Sequence, residues 1–157
     1  EWSATSEPGQ PVPEAHYLDA LRADLEASLP LIWGRTVHSV FIGGGTPSLF
    51  SPAAIDRLLG EVRALLRLEA DAEVTLEANP GTFEKDRFRA FRAAGVTRLS
   101  IGVQSFNDAH LKALGRIHGA AEAKRAAQLA GEHFSCVAYC EDPRRAMPRY
   151  RPTAPIL

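Results

Sequence analysis

Three short polar clusters constrain this chain more than any other feature. Each closes an apolar, strand-like run, and each is followed by a sequence suited to start a helix. Gly43-Gly44-Gly45-Thr46-Pro47-Ser48 follows Val37–Ile42. Glu77-Ala78-Asn79-Pro80-Gly81-Thr82 follows a run containing Val74 and Leu76. Gly102-Val103-Gln104-Ser105-Phe106-Asn107 closes a run in which Leu99, Ile101 and Val103 alternate with smaller or polar residues. Strands that alternate with helices predict a parallel sheet with right-handed crossovers. In a parallel barrel the strand-to-helix turns lie together on the face where active sites are built. One cluster would be weak evidence, but three in consecutive β-α units amount to a site.

The rest of the chain fits this order. Residues 1–13 are rich in Pro, Ser, Gly and Glu and read as a loop. Tyr17, Leu18, Leu21, Leu25 and Leu29 recur at helical spacing, and Pro30 is expected to stop that helix. Val37–Ile42 has the composition of a strand buried on both faces. Ser51 is a good N-cap with Pro52 at the first helical position, ahead of Ile55, Leu58, Leu59, Val62, Leu65 and Leu66. Thr82 is placed to cap a helix that turns Phe88 and Phe91 inward, and Gly95 suits its C-terminus. Asn107 is placed to cap the helix of Leu111 and Leu114, and an Ala-rich helix runs from about Gly119 to Ala130.

The character changes after Ala130. Gly131–Cys140 offers at most one more short strand. Residues 141–157 hold four prolines and four arginines and read as a disordered tail. The expected division is a loop over 1–13, a core over 14–130 and a divergent tail over 131–157. The expected fold is α/β, an incomplete arc of about three parallel strands with helices, truncated at both ends. Val37–Ile42 and Thr97–Val103 would be its outer strands, unless Gly131–Cys140 adds a poor fourth. Bare apolar edges invite pairing between chains.

Composition removes several classes of function. A net charge of −1 leaves no electrostatic footprint for nucleic acid. No apolar run is long enough to span a bilayer. Two cysteines are too few for a disulfide framework, so a reducing, cytoplasmic setting is the simplest reading. Cys136 and Cys140 read as two unrelated thiols, because an iron–sulfur cluster takes more thiolates than two. The five histidines show no metal-ligand spacing. No metal ligand and no catalytic residue is assigned.

The candidate binding residues each have a plainer reading. Gly43–Gly45 would serve a tight turn as well as a ligand. No Gly-Lys-Ser/Thr follows, and the spacing does not fit the dinucleotide fingerprint. A backbone cradle for a small polar ligand remains, formed by Gly44 and Gly45 with the Thr46 hydroxyl beside them. Glu77 ends its strand among apolar neighbours, where a carboxylate is costly unless it is paired or binds something polar. Its plain reading is a structural salt bridge. Gln104 offers an amide at a strand end. Arg116, twelve residues later, is either folded over the same mouth or a solvated surface arginine.

In this order and spacing the three clusters resemble the radical S-adenosylmethionine superfamily, specifically its oxygen-independent coproporphyrinogen III oxidase-like group. The resemblance covers about residues 14–130. Asn79-Pro80-Gly81-Thr82 and Ser105 resemble the heme-chaperone branch, HemW, more than the oxidases. The resemblance implies a partial (β/α)6 barrel with S-adenosylmethionine at its mouth. Gly44, Gly45 and Thr46 would hold its methionine part and Glu77 would contact it. Gln104 and Arg116 match positions that hold a second molecule in the oxidase. The parent protein would bind a [4Fe-4S] cluster and heme, and would deliver heme to an acceptor protein. The family's Cys-x3-Cys-x2-Cys cluster motif is expected before this chain's first residue and does not occur within it. Two other functions stand beside the chaperone reading. One is oxidative decarboxylation of coproporphyrinogen III by a 5′-deoxyadenosyl radical. The other is a truncated chain with no activity of its own.

Overall fold

The computed structural model describes residues 13–82, 85–134 and 136–141, of which 82, 85 and 136–141 are described by their backbone alone. The first helix, α1, spans Glu14–Ile32, and strand β1 spans Thr36–Ile42. A 3-10 turn at Pro47–Leu49 leads to α2, Pro52–Leu65, and then to β2, Arg67–Ala78. A second 3-10 turn, Pro80–Thr82, precedes α3, Lys85–Ala94. Strand β3 is Arg98–Gln104, followed by the short α4, Asp108–Ala113, and by α5, Ala120–His133. Strand β4 is Cys136–Glu141. The strands form one sheet in the order β1-β2-β3-β4, and every pair is parallel.

Local chemistry sets the helix boundaries. The Ser51 hydroxyl accepts the Ala54 N–H at 3.1 Å and so caps α2. Glu14 grips the same residue from α1, accepting the Ser51 hydroxyl at 2.6 Å and its N–H at 2.5 Å. Ser51→Ala should therefore cost about 0.5–2 kcal/mol, read as a lower urea midpoint. The Asn107 side chain caps α4 by accepting the N–H groups of Ala109 and His110. Gly95, at φ +109°, turns the chain out of α3 into β3. The Arg57 guanidinium, bonded to Asp19 across the α1–α2 contact, holds that carboxyl below its usual range. The pair is exposed and contributes little to stability.

The two faces of the sheet differ sharply. Val74, Leu76, Leu99, Ile101 and Val103 are buried against Ile55 and Leu59 of α2, Phe88 and Phe91 of α3, and Ala123 and Ala130 of α5. The alternate residues of β2 and β3 face the other way: Thr75, Glu77, Ser100, Gly102 and Gln104. This second face is polar or small-residued, and it becomes the wall of the site.

Three expectations need correction. Pro30 does not stop the first helix; it lies inside α1, two residues before its end. A proline in the last turn removes a single N–H, and the chain leaves through Trp33 and Gly34, which takes φ +76°. Strand β1 is not buried on both faces. Val40 and Ile42 pack on the core, but Phe41 is 61% exposed, because among the described residues β1 has β2 as its one neighbour and no layer over its second face. Thr97–Val103 is not an outer strand, since β4 pairs with β3 from Arg98 opposite Cys136 to Gln104 opposite Glu141. The arc accordingly holds four parallel strands, the fourth lying where a short one was allowed for. The loop reading of 1–12, the Thr82 cap, the Cys136 and Cys140 thiols and the tail beyond 141 lie outside what is described.

Candidate functional site

The site begins where β1 runs out. Gly44 and Gly45 adopt φ +85° and +62°, a region that side chains with a Cβ avoid. Gly43 is required for a different reason: a Cβ there would lie 2.6 Å from the Phe41 ring and 3.1 Å from the Glu77 carboxyl. This close approach lets Glu77, at the end of β2, accept the Gly44 N–H through Oε2 at 3.1 Å. The carboxylate thus orders the glycine loop.

The neighbouring turns complete the wall. The Asn79 amide donates to the Thr46 hydroxyl at 3.2 Å, tying the β2 turn to the β1 turn. Arg87, on α3, donates through Nη2 to the carbonyls of Ser48, Leu49 and Phe50, each at 2.8 Å, while its guanidinium lies 5.6 Å from the Phe91 ring centre. One side chain thereby ties down the whole 3-10 turn behind the glycine loop. On β3, a Cβ at Gly102 would come within 3.2 Å of Asn79 Oδ1 and 3.5 Å of Gln104 Nε2, so glycine there lets the two amides close over it.

These turns enclose a cavity of about 140 Å³ at the C-terminal end of the strands. Gly45, Thr46, Glu77, Asn79, Gly102 and Gln104 line it, together with Pro47, Ala78 and Ser100. Of the expected site residues, Gly45, Thr46, Glu77 and Gln104 share this one space. Gly44 joins through its hydrogen bond to Glu77. Arg116 does not join: it lies exposed beyond α4 and is not part of the wall. Asn79, Ser100 and Gly102 were quoted in the motifs or their strands but not selected. Arg87 was missed, and its available signal was an arginine one turn before Phe91 on the core-facing side of α3.

The wall combines a carboxylate, two amides, two hydroxyls and glycine backbone. It suits a small ligand that brings an ammonium or hydroxyl group and a carboxylate of its own. Among the described residues no group of three or more His, Cys, Asp or Glu side chains is arranged to hold a metal ion. No described helix is long and apolar enough to cross a membrane.

Comparison with known proteins shows the family. The sequence profile of the Radical SAM superfamily matches residues 17–140. The heme chaperone HemW of Escherichia coli is 58% identical over 119 residues, covering 76% of this chain and 32% of that protein. A bovine mitochondrial relative, radical S-adenosyl methionine domain-containing protein 1, is 49% identical over 112 residues, covering 71% of this chain and 25% of that protein. Among solved structures, coproporphyrinogen III oxidase (HemN) from Escherichia coli, described as a radical SAM enzyme, superposes with a TM-score of 0.71 at 33% identity. The match covers 83% of this chain and 31% of that one. The chain spans about a third of the length of these bacterial relatives.

Proposed function

This chain belongs to the radical SAM superfamily and is HemW-like, and on that premise we propose that its cavity receives the amino-acid end of S-adenosylmethionine. The observation that carries this reading is the meeting of Gly45, Thr46, Glu77 and Gln104 in one space at the strand ends. The residues fit that part of the ligand. Glu77 Oε1 accepts from the ammonium group, and the Gln104 and Asn79 amides and the glycine loop supply polar contacts around the carboxylate. A space of about 140 Å³ is below the roughly 300–1,000 Å³ that encloses a drug-sized ligand. The adenosyl part therefore lies over the open mouth. S-adenosylmethionine supplies an activated sulfonium when bound, and the residues of this chain bind and orient it.

The residues do not fit a [4Fe-4S] cluster. Such a cluster is held by cysteine thiolates, three of them in the Cys-x3-Cys-x2-Cys motif, and this sequence contains Cys136 and Cys140 alone. Anaerobic reconstitution of the chain with iron and sulfide should give far less than one cluster per chain. A Mössbauer spectrum showing one stoichiometric cluster would overturn this.

For the whole protein we propose handling of heme and its delivery to an acceptor protein, in the manner of the relatives named heme chaperones. Identity of 58% to a HemW protein, against 33% to the superposed oxidase, favours this over porphyrinogen decarboxylation. Calorimetric titration with S-adenosylmethionine tests the site. Gln104→Ala should weaken the affinity by about tenfold, the equivalent of one or two hydrogen bonds. Heme titration and a decarboxylation assay on the whole protein separate chaperone from oxidase.

A further inference from the structure

His118 is buried, at 7% exposure, in the loop between α4 and α5, and it does not line the cavity. Its Nε2 lies 3.0 Å from the carbonyl oxygen of Val103. A carbonyl only accepts, so Nε2 carries the proton. The same carbonyl accepts the Ser105 N–H at 2.8 Å. That bond closes a three-residue turn centred on Gln104, whose φ is +65°. Among the described residues Gln104 is the one non-glycine residue with positive φ. A turn of this hand is rare and strained. It also lies at a register shift, where β3 runs three residues, Ile101 to Gln104, against two in β4.

Strand alternation already puts Gln104 on the cavity side of β3 with Ser100 and Gly102, and the turn fixes the direction its amide takes there. The Gln104 amide stands over Gly102, with Nε2 3.5 Å from where a Cβ would be, and lines the cavity. We propose that His118 is a positioning residue for this site. By donating Nε2–H to the Val103 carbonyl it holds the turn that aims Gln104 into the cavity, and so sets ligand affinity at a wall it does not touch. The starts of the two flanking helices are tied together, because Asp108, the first residue of α4, accepts the N–H of Ala120, the first residue of α5, at 2.7 Å. Burial alone would account for a packed histidine. It would not account for a donor aimed at the one carbonyl that closes the strained turn.

The proposal's ligand arm rests on the S-adenosylmethionine reading, and its conformational arm does not. In the unmutated 157-residue chain, long-range 15N–1H spectra should show His118 as the Nε2–H tautomer, and the Nδ1–H tautomer would overturn the proposal. His118→Leu should speed Ser105 amide exchange and weaken S-adenosylmethionine binding, each by about tenfold, as loss of one buried donor implies. His118→Gln retains an N–H at similar reach and should restore most of both. Equal impairment by Leu and Gln would reduce His118 to packing and overturn the proposal, as would His118→Leu behaving like the parent chain. Gln104→Gly accepts positive φ without a clamp. In that background His118→Leu should no longer change Ser105 exchange, and an undiminished effect would count against the proposal. If the unmutated chain binds no S-adenosylmethionine, the cofactor reading fails, and Ser105 exchange alone decides the role of His118.

Discussion

Glu77→Ala should weaken S-adenosylmethionine binding by about 10–100-fold, since hydrogen bonds to a charged group are worth about 1.5–3 kcal/mol. Two losses combine in this variant. The ligand loses a carboxylate partner, and the Gly44 N–H loses the acceptor that orders the glycine loop. Glu77→Gln separates them, because its amide oxygen still accepts from Gly44 while the charge is gone. An intermediate affinity for the Gln variant is expected by calorimetry. If Glu77→Gln binds like the parent chain, the charge is not used and the carboxylate is purely a loop tether. If Glu77→Ala also binds like the parent, the cavity is not the binding site.

The largest loss of stability should follow Phe88→Ala. Phe88 is 1% exposed and meets Phe134 edge-on, with ring centres 6.0 Å apart and planes at 84°. Truncation of a buried phenylalanine costs about 3–5 kcal/mol, against a total of about 5–15 kcal/mol for a typical domain. Aromatic pairing adds to the burial itself. The pair joins α3 to the end of α5, immediately ahead of β4. Its loss loosens the helix from which Arg87 reaches the turn behind the glycine loop. Urea denaturation followed by circular dichroism measures the effect. A loss below about 1 kcal/mol would mean that the α3–α5 contact does not hold this core together.

The sheet edge should show itself as well. Phe41 is 61% exposed on β1, beside an edge without a described partner, and such edges favour pairing between chains. Concentration-dependent self-association is expected in sedimentation, and Phe41→Lys should reduce it. A monodisperse parent chain would refute this.

Much of the site was legible because it depends on local rules. Glycines mark positive φ, strands end in polar residues where the chain turns, and alternation assigns residues to faces. Val74 and Leu76 on one face and Thr75 and Glu77 on the other follow from period two alone. The order of strand and helix units, and with it the parallel sheet and the common mouth of Gly45, Thr46, Glu77 and Gln104, was determined by the sequence by itself.

Only the tertiary structure decided the rest, because those features depend on contacts between distant segments. Pro30 reads as a stop, yet one missing N–H in a last turn is tolerated. Val37–Ile42 is apolar enough for full burial, yet exposure depends on which neighbours cover a strand. Arg116 sits at a suggestive spacing, but spacing along the chain does not set the direction of a loop after a short helix. Arg87 and His118 act through backbone carbonyls 37–39 and 15 residues away, and a carbonyl carries no mark in sequence. The left-handed turn at Gln104 is the clearest case. Glutamine has no intrinsic preference for it, and the Ser105 N–H and the His118 imidazole meet at the Val103 oxygen beside it only once the chain has folded.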